Sequence, residues 1–240
     1  MGRVIAREIE KRDNCTVVAG VDIFSDGTLP FPVHDDFSQI AEAADVIIDF
    51  SNPAALNGLL NYATVKAVPA VICTTGLSPE QVAQVKKASE QVAIFYSGNM
   101  SLGINLLIEL SKKATGILGG DFDIEIIEKH HNQKLDAPSG TALMIADSIS
   151  EVMKNEPQYV YDRHSYRKKR EKNEIGIHAV RGGTIVGEHQ VIFAGHDEVI
   201  TLTHQAQSKE VFAIGSINAA VYLSKKNPGM YDMSNMLQGK

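Results

Sequence analysis

The feature that most limits what this chain can fold into is the repeated alternation of short apolar runs and helical patterns between residues 45 and 96. The runs at 45–51 (DVIIDFS), 69–73 (PAVIC) and 92–96 (VAIFY) are nearly unbroken in apolar residues, and Pro53 and Pro79 open the helical stretches between them. A strand with one wet face would alternate apolar with polar residues, so continuous runs predict a parallel sheet covered on both faces. Strands that alternate regularly with helices predict an α/β fold with a doubly wound sheet, whose ligands lie beyond the carboxyl ends of the strands. The loops at those ends are CTTG at 73–76 and SGNMS at 97–101.

Upstream, Val4, Ile5 and Ile9 sit at helical spacing among charges, so residues 1–12 are expected to form an amphipathic helix with no strand before it. Residues 15–22 read as a buried strand ending in Asp22, residues 24–36 as a polar loop and 37–43 as a short helix. Asp22 stands 20 residues after Gly2, the spacing at which an acidic residue meets the adenosine ribose in a dinucleotide-binding unit.

After a helix from residue 102 to about 118 the pattern changes. Longer, alternating segments at 174–181, 184–194 and 198–204 predict an α+β region with a mostly antiparallel sheet. Gly182-Gly183 and the run 195–197 supply hairpin chemistry between them. Residues 102–208 are therefore expected to form a substrate-binding and oligomerisation domain. Residues 1–101 and 209–240, with a last helix over 208–225, are expected to form the dinucleotide-binding domain.

Composition narrows the partners. Acidic residues outnumber basic ones 29 to 23, a net charge of −6, which gives no global attraction for nucleic acid or an anionic membrane. The one basic run, 163–172, reads as a solvated loop. Cys15 and Cys73 make no disulfide framework, and no apolar stretch approaches the roughly 20 residues of a membrane span, so a cytoplasmic protein is expected.

Residues 124–146 concentrate the chemistry. Ile124 and Ile126 alternate with Glu125 and Ile127 in a strand that delivers His130 and His131 to its end. Asp136-Ala-Pro138 breaks the strand. Ser139 then stands at the N-cap position of a helix marked by Leu143, Met144, Ile145, Ile149 and Val152. The loop thus offers His130, His131, Lys134 and the first-turn N–H groups of a helix to one anionic guest. A zinc site lacks a third ligand at usual spacing, so no metal is expected.

The run HHNQKLDAPSGTA at 130–142 resembles the signature of the dihydrodipicolinate reductase family, enzymes of the diaminopimelate route to lysine that use NADH or NADPH. Matches at CTTG 73–76, GNMSLG 98–103, RGGTIVGEH 181–189 and GMYDM 229–233 extend the resemblance over essentially the whole chain. It implies a Rossmann-like first domain and a homotetramer built through the second domain's sheet. It also implies reduction of a cyclic imine dicarboxylate to tetrahydrodipicolinate.

Under this resemblance Cys73, Thr74, Thr75, Ser97, Gly98, Asn99 and Met100 hold the nicotinamide end of the cofactor. Met1 and Gly2 match only the end of the family's Gly-x-x-Gly-x-Met-Gly-Arg phosphate loop. A native start about a dozen residues earlier is therefore expected, because a doubly wound sheet without its central first strand leaves buried backbone groups unpaired. Ser139, Gly140 and Thr141 receive a substrate carboxylate, with His131 and Lys134 neutralising the anion. His130 is the expected proton donor and Lys134 the second candidate. Two other readings stand beside this one: a nicotinamide-dependent dehydrogenase of another small keto or imino acid, and a non-catalytic nucleotide-binding relic.

Overall fold

A computed structural model describes residues 1–239. In chain order the elements are α1 (Gly2–Ile9), β1 (Gly20–Val21), β2 (Val33–His34), β3 (Ile47–Asp49), α2 (Leu56–Lys66), β4 (Ala70–Ile72), α3 (Pro79–Ser89) and β5 (Ala93–Tyr96). Then come α4 (Leu102–Leu118), β6 (Asp123–His130), α5 (Gly140–Ser150), β7 (Gln158–Val160), β8 (Glu174–Arg181), β9 (Gly187–Ala194), β10 (Val199–Ala206), α6 (Glu210–Leu223), β11 (Gly229–Tyr231) and α7 (Met233–Leu237). The chain divides into two compact units, one of Met1–Ser101 with the chain from Glu210 onward, the other of Leu102–Lys209.

In the first unit a parallel sheet has the order β11-β5-β4-β3. Its strands are covered on both faces, as their unbroken apolar runs require. Ile47, Ala70, Ile72 and Ile94 pack against α2 and α3, while Ile48 and Phe50 join Ile5 and Ile9 of α1 and Ala213 and Ile217 of α6. Helix α3 begins at a capping box in which Ser78 accepts from Gln81 N–H and the Gln81 side chain accepts from Ser78 N–H. The closing GMYDM run supplies β11 at the sheet edge beside β5, a strand that its three residues were too short to announce.

Three expectations for this unit need correction. Residues 15–22 are not a buried strand: only Gly20–Val21 pairs, with β2, and this stretch is half-buried or exposed. Backbone groups stay in a strand only with a partner, and among the described residues none pairs with 15–19 or with the outer edge of β3. The loop over 24–36 contains the two-residue β2. The helix expected over 37–43 is one 3-10 turn, Phe37–Gln39, capped by Asp36 and lacking the length to propagate.

In the second unit the sheet has the order β10-β9-β6-β8-β7. It is mixed rather than mostly antiparallel: β10 with β9 and β9 with β6 are antiparallel, whereas β6 with β8 and β8 with β7 are parallel. Gly182-Gly183 is accordingly no hairpin turn, because β6 lies between β8 and β9. Gly195 to Asp197 does turn a hairpin, with Ala194 opposite Val199 and Asp197 at φ 60. Helices α4 and α5 cover one face, where Ile104, Leu107, Ile145 and Ile149 pack on Ile124, Ile126, Ile175, Val191 and Phe193. Burying such a side chain is worth about 1.5–3 kcal/mol, so this layer fixes which side of β6 faces inward.

Candidate functional site

The period of two in β6 carries the inward face past the apolar core and ends it in charge. Ile124, Ile126, Glu128 and His130 are buried while Glu125, Ile127 and Lys129 point the other way. Sheet register then sets Glu128 beside His189 of β9 and His130 beside Arg181 of β8. Four titratable groups from three strands meet where the apolar layer stops.

Glu128 is fully buried and all its oxygens are engaged. Its Oε2 accepts from His130 Nδ1 at 2.6 Å and from Arg181 Nη1 at 2.8 Å, and its Oε1 accepts from Arg181 Nη2 at 2.7 Å and from the Ser139 backbone N–H at 3.0 Å. Burial alone would raise its pKa, but the bonds from Arg181, His130 and Ser139 outweigh that and hold the carboxyl below the usual range. The side chain is thus an ion with four donors, and Arg181 is held charged by the same contact. Arg181 also donates to the Asp136 carbonyl at 2.6 Å, tying the loop after β6 to the strand end.

Ser139 caps α5 as its sequence position predicts: its Oγ accepts from Ala142 N–H at 3.2 Å, a contact typically worth about 1 kcal/mol. The same Oγ lies 3.1 Å from His189 Nε2. His189 is pushed down to about 4, first by burial and then by the neighbouring His130, so its ring is uncharged at neutral pH. The His130 and His189 rings meet edge to face with centroids 5.2 Å apart. Gly187 makes room for this: a Cβ there would lie 3.1 Å from His130 Nε2.

Of the residues singled out from sequence, His130, His131, Lys134, Ser139, Gly140 and Thr141 all lie on one end of this unit, around β6 and the start of α5. Lys134 Nζ is 2.8 Å from Asp136 Oδ1, a contact that leads in holding that carboxyl below its usual range; the Gly140 N–H also bonds to it. One of the two N–H groups expected to await an anion is therefore already met by a carboxylate. Glu128, Arg181 and His189 were not singled out. Glu128 had a readable signal, two residues before His130 on the same strand face. The other two carried only their place in the 181–189 run.

The remaining residues lie in the first unit. Thr74 donates to buried Asp49 at 2.7 Å, and Cys73 beside it has its thiol pushed well up by burial and by Asp49. Thr75 is exposed at the carboxyl end of β4. Ser97 donates to the Asn99 carbonyl at 3.0 Å, Asn99 Oδ1 accepts from Ser101 N–H at 2.8 Å, and Met100 is buried while Gly98 is exposed. Asp22 follows β1, exposed, accepting from Phe24 N–H at 2.9 Å. Met1 and Gly2 open α1, which has no side-chain cap, and the space around the Gly2 Cα is free. Among the described residues no group of three His, Cys, Asp or Glu is arranged to hold a metal ion, and no helix is long and apolar enough to cross a membrane.

The family profile described as dihydrodipicolinate reductase, N-terminus, matches residues 1–100, and that described as dihydrodipicolinate reductase, C-terminus, matches residues 103–237. The chain belongs to the dihydrodipicolinate reductase family. A 4-hydroxy-tetrahydrodipicolinate reductase of Caldanaerobacter subterraneus is 53% identical over 99% of this chain and 94% of its own length. One from Clostridium novyi is 47% identical over 100% of this chain and 95% of its own. Among solved structures, a dipicolinate-bound dihydrodipicolinate reductase from a Paenisporosarcina species superposes with TM-score 0.79 at 25% identity, covering 96% of this chain and 92% of that one. In this dihydrodipicolinate reductase family member the Glu128–His130–Arg181 cluster and the cap of α5 thus form one connected network.

Proposed function

We infer that this chain catalyses the NADH- or NADPH-dependent reduction of 4-hydroxy-tetrahydrodipicolinate to tetrahydrodipicolinate, a step of diaminopimelate and lysine biosynthesis. The observation that carries the reading is the buried carboxylate at the end of β6, which holds an imidazole beside a helix N-terminus in a chain that matches both halves of the family. We divide the labour between a dinucleotide-binding domain, residues 1–101 and 209–240, and a substrate-binding domain, residues 102–208.

The residues fit a nicotinamide dinucleotide. An uncapped helix start with open space at Gly2 suits a pyrophosphate, and the exposed Asp22 carboxylate suits ribose hydroxyls. We assign Met1, Gly2 and Asp22 to that end, and Cys73, Thr74, Thr75, Ser97, Gly98, Asn99 and Met100 to the nicotinamide end. Asp22 repels a 2′-phosphate and Ile23 offers no cation for one, so NADH is used at least as well as NADPH. When bound, the reduced nicotinamide supplies the hydride.

The substrate is a dicarboxylate. One carboxylate rests at the start of α5 on Ser139, Gly140 and Thr141, displacing Asp136 from the Gly140 N–H, while His131 and Lys134 balance its charge. Reduction of a conjugated imine builds negative charge at the far end of the conjugated system, where a proton must arrive. His130 delivers it. Its Nδ1 is engaged by Glu128, so Nε2 is the end that carries the exchangeable proton. Lys134, paired with Asp136, is the second donor.

The protein acts in the cytoplasm as a homotetramer. Support for self-association is the part of the second unit's outer sheet face that the 163–172 loop leaves open, where Val180 and Val199 are 43% and 63% exposed. Light scattering on purified protein checks the tetramer. The activity is tested with freshly generated substrate while nicotinamide absorbance is followed. A folded protein without turnover would leave the non-catalytic reading, and faster turnover of another keto or imino acid would favour a different dehydrogenase.

A further inference from the structure

We propose that Glu128 is the positioning residue of this site, a single buried carboxylate that sets both the tautomer of His130 and the placement of the α5 N-terminus relative to it. The proposal rests on the reading of His130 as proton donor given above, but its structural half stands without it.

Four bonds define the device. Oε2 takes the His130 Nδ1–H at 2.6 Å and Oε1 takes the Ser139 N–H at 3.0 Å, while Arg181 grips both oxygens at 2.7 and 2.8 Å. An ionised carboxylate only accepts, so a His130 bonded to it must carry hydrogen on Nδ1. In the neutral ring the lone pair is then on Nε2. The proton that the reaction consumes enters and leaves at that atom, with no competing tautomer. A carboxylate at Nδ1 also stabilises the imidazolium that forms when Nε2 is loaded.

Arg181 keeps Glu128 an anion despite full burial and fixes its plane, since a guanidinium fork meets a carboxylate in one orientation. The second oxygen reaches the backbone N–H of the residue that caps α5. Strand β6, strand β8 and helix α5 therefore meet on one side chain, and the distance from the proton carrier to the first turn of α5 is set by the width of a carboxyl group. The other charged and titratable groups around His130 are His189 from β9, behind it His204 from β10, and Lys134 and Asp136 in the following loop. The hydrogen on His130 Nδ1 goes to Glu128.

The tests use the full chain. In wild-type protein labelled with 15N-histidine, NMR should show neutral His130 protonated on Nδ1; an Nε2–H tautomer would overturn the proposal without any variant. In Glu128→Gln the amide oxygen still accepts from Ser139 while its NH2 faces His130. The expected result is a fall in kcat on the order of 10² or more with KM changed only a few-fold. Glu128→Ala, which loses both bonds, should also raise KM.

Unchanged kcat in folded Glu128→Gln would sink the positioning role. A silent His130→Gln variant would instead remove His130 as donor, leaving the NMR result to decide the structural half. Combining the two substitutions should cost no more than His130→Gln alone if Glu128 acts through the ring.

Discussion

The two faces of β6 carry the same chemistry and do different things with it. On the inner face, Glu128 binds His130 and Arg181. On the outer face, Glu125 binds His178 at 2.7 Å, Arg163 at 2.8 Å and Arg170 at 3.0 Å. Each glutamate lies below its usual range because cationic partners outweigh its burial. The difference is in the far end of each partner. Arg163 and Arg170 continue to Glu174 and Asp123, so the outer cluster closes on itself and pins the 163–172 run onto the sheet. Most of that run is the exposed loop its charge suggested, but two of its three arginines, Arg163 and Arg170, turn in to carboxylates that only the folded sheet assembles. His178 also bonds Glu125 through Nε2, whereas His130 uses Nδ1 and leaves Nε2 for other work. The two clusters thus differ in which imidazole nitrogen the carboxylate takes.

The largest expected contrast is in stability. Arg181→Ala leaves a fully buried Glu128 without its cation and should lower stability by about 3–5 kcal/mol, whereas His178→Ala should cost about 1 kcal/mol because Glu125 keeps Arg163 and Arg170. Denaturant midpoints compare them; equal losses would break the distinction between the faces. Next is turnover. His130→Gln should cut kcat by about 10² or more, while His178→Gln, in material of the same oligomeric state, should stay within about twofold. Steady-state nicotinamide oxidation measures both, and a comparable drop in His178→Gln would contradict the assignment of faces.

His189 sharpens the comparison through pH. Its folded value, about 4, lies below the ordinary 6.5. Its contribution is therefore complete above pH 6.5 and is lost as pH falls toward 4. At about 1.4 kcal/mol per pH unit this amounts to roughly 3 kcal/mol. Melting temperatures from pH 7.5 to 4 should fall less steeply in His189→Gln than in the parent; parallel curves would count against it. Lys134→Ala should give a smaller effect, about tenfold in kcat/KM with both constants worsened, since a paired surface cation is lost rather than the ring.

The smallest effect tests the two glycines that make room for the clusters. A Cβ at Gly176 would fall 1.7 Å from Glu125 Oε2, and one at Gly187 would fall 3.1 Å from His130 Nε2. Gly176→Ala should cost about 1–3 kcal/mol in stability with kcat unchanged, and Gly187→Ala should lower kcat several-fold with little change in melting. The reverse pattern would show that the faces had been assigned the wrong way round.

The sequence by itself determined the local elements and their orientation. Unbroken apolar runs gave the parallel sheet of the first unit, alternation in β6 chose its buried face, and the break at Asp136-Ala-Pro138 followed by Ser139 marked the start of α5. Those signals are local: propensity, period and capping act over a few residues. What only the tertiary structure decided was adjacency. Placing β6 between β8 and β9 made the second sheet mixed, turned Gly182-Gly183 into part of a crossover, and brought Arg181 to Glu128 across 53 residues and His189 to Ser139 across 50. A residue pattern specifies which side of a strand is dry, but strands compete for neighbours through backbone bonds that every sequence offers alike. The partners of Glu128 were therefore settled by which strands flank β6, and not by any spacing along the chain.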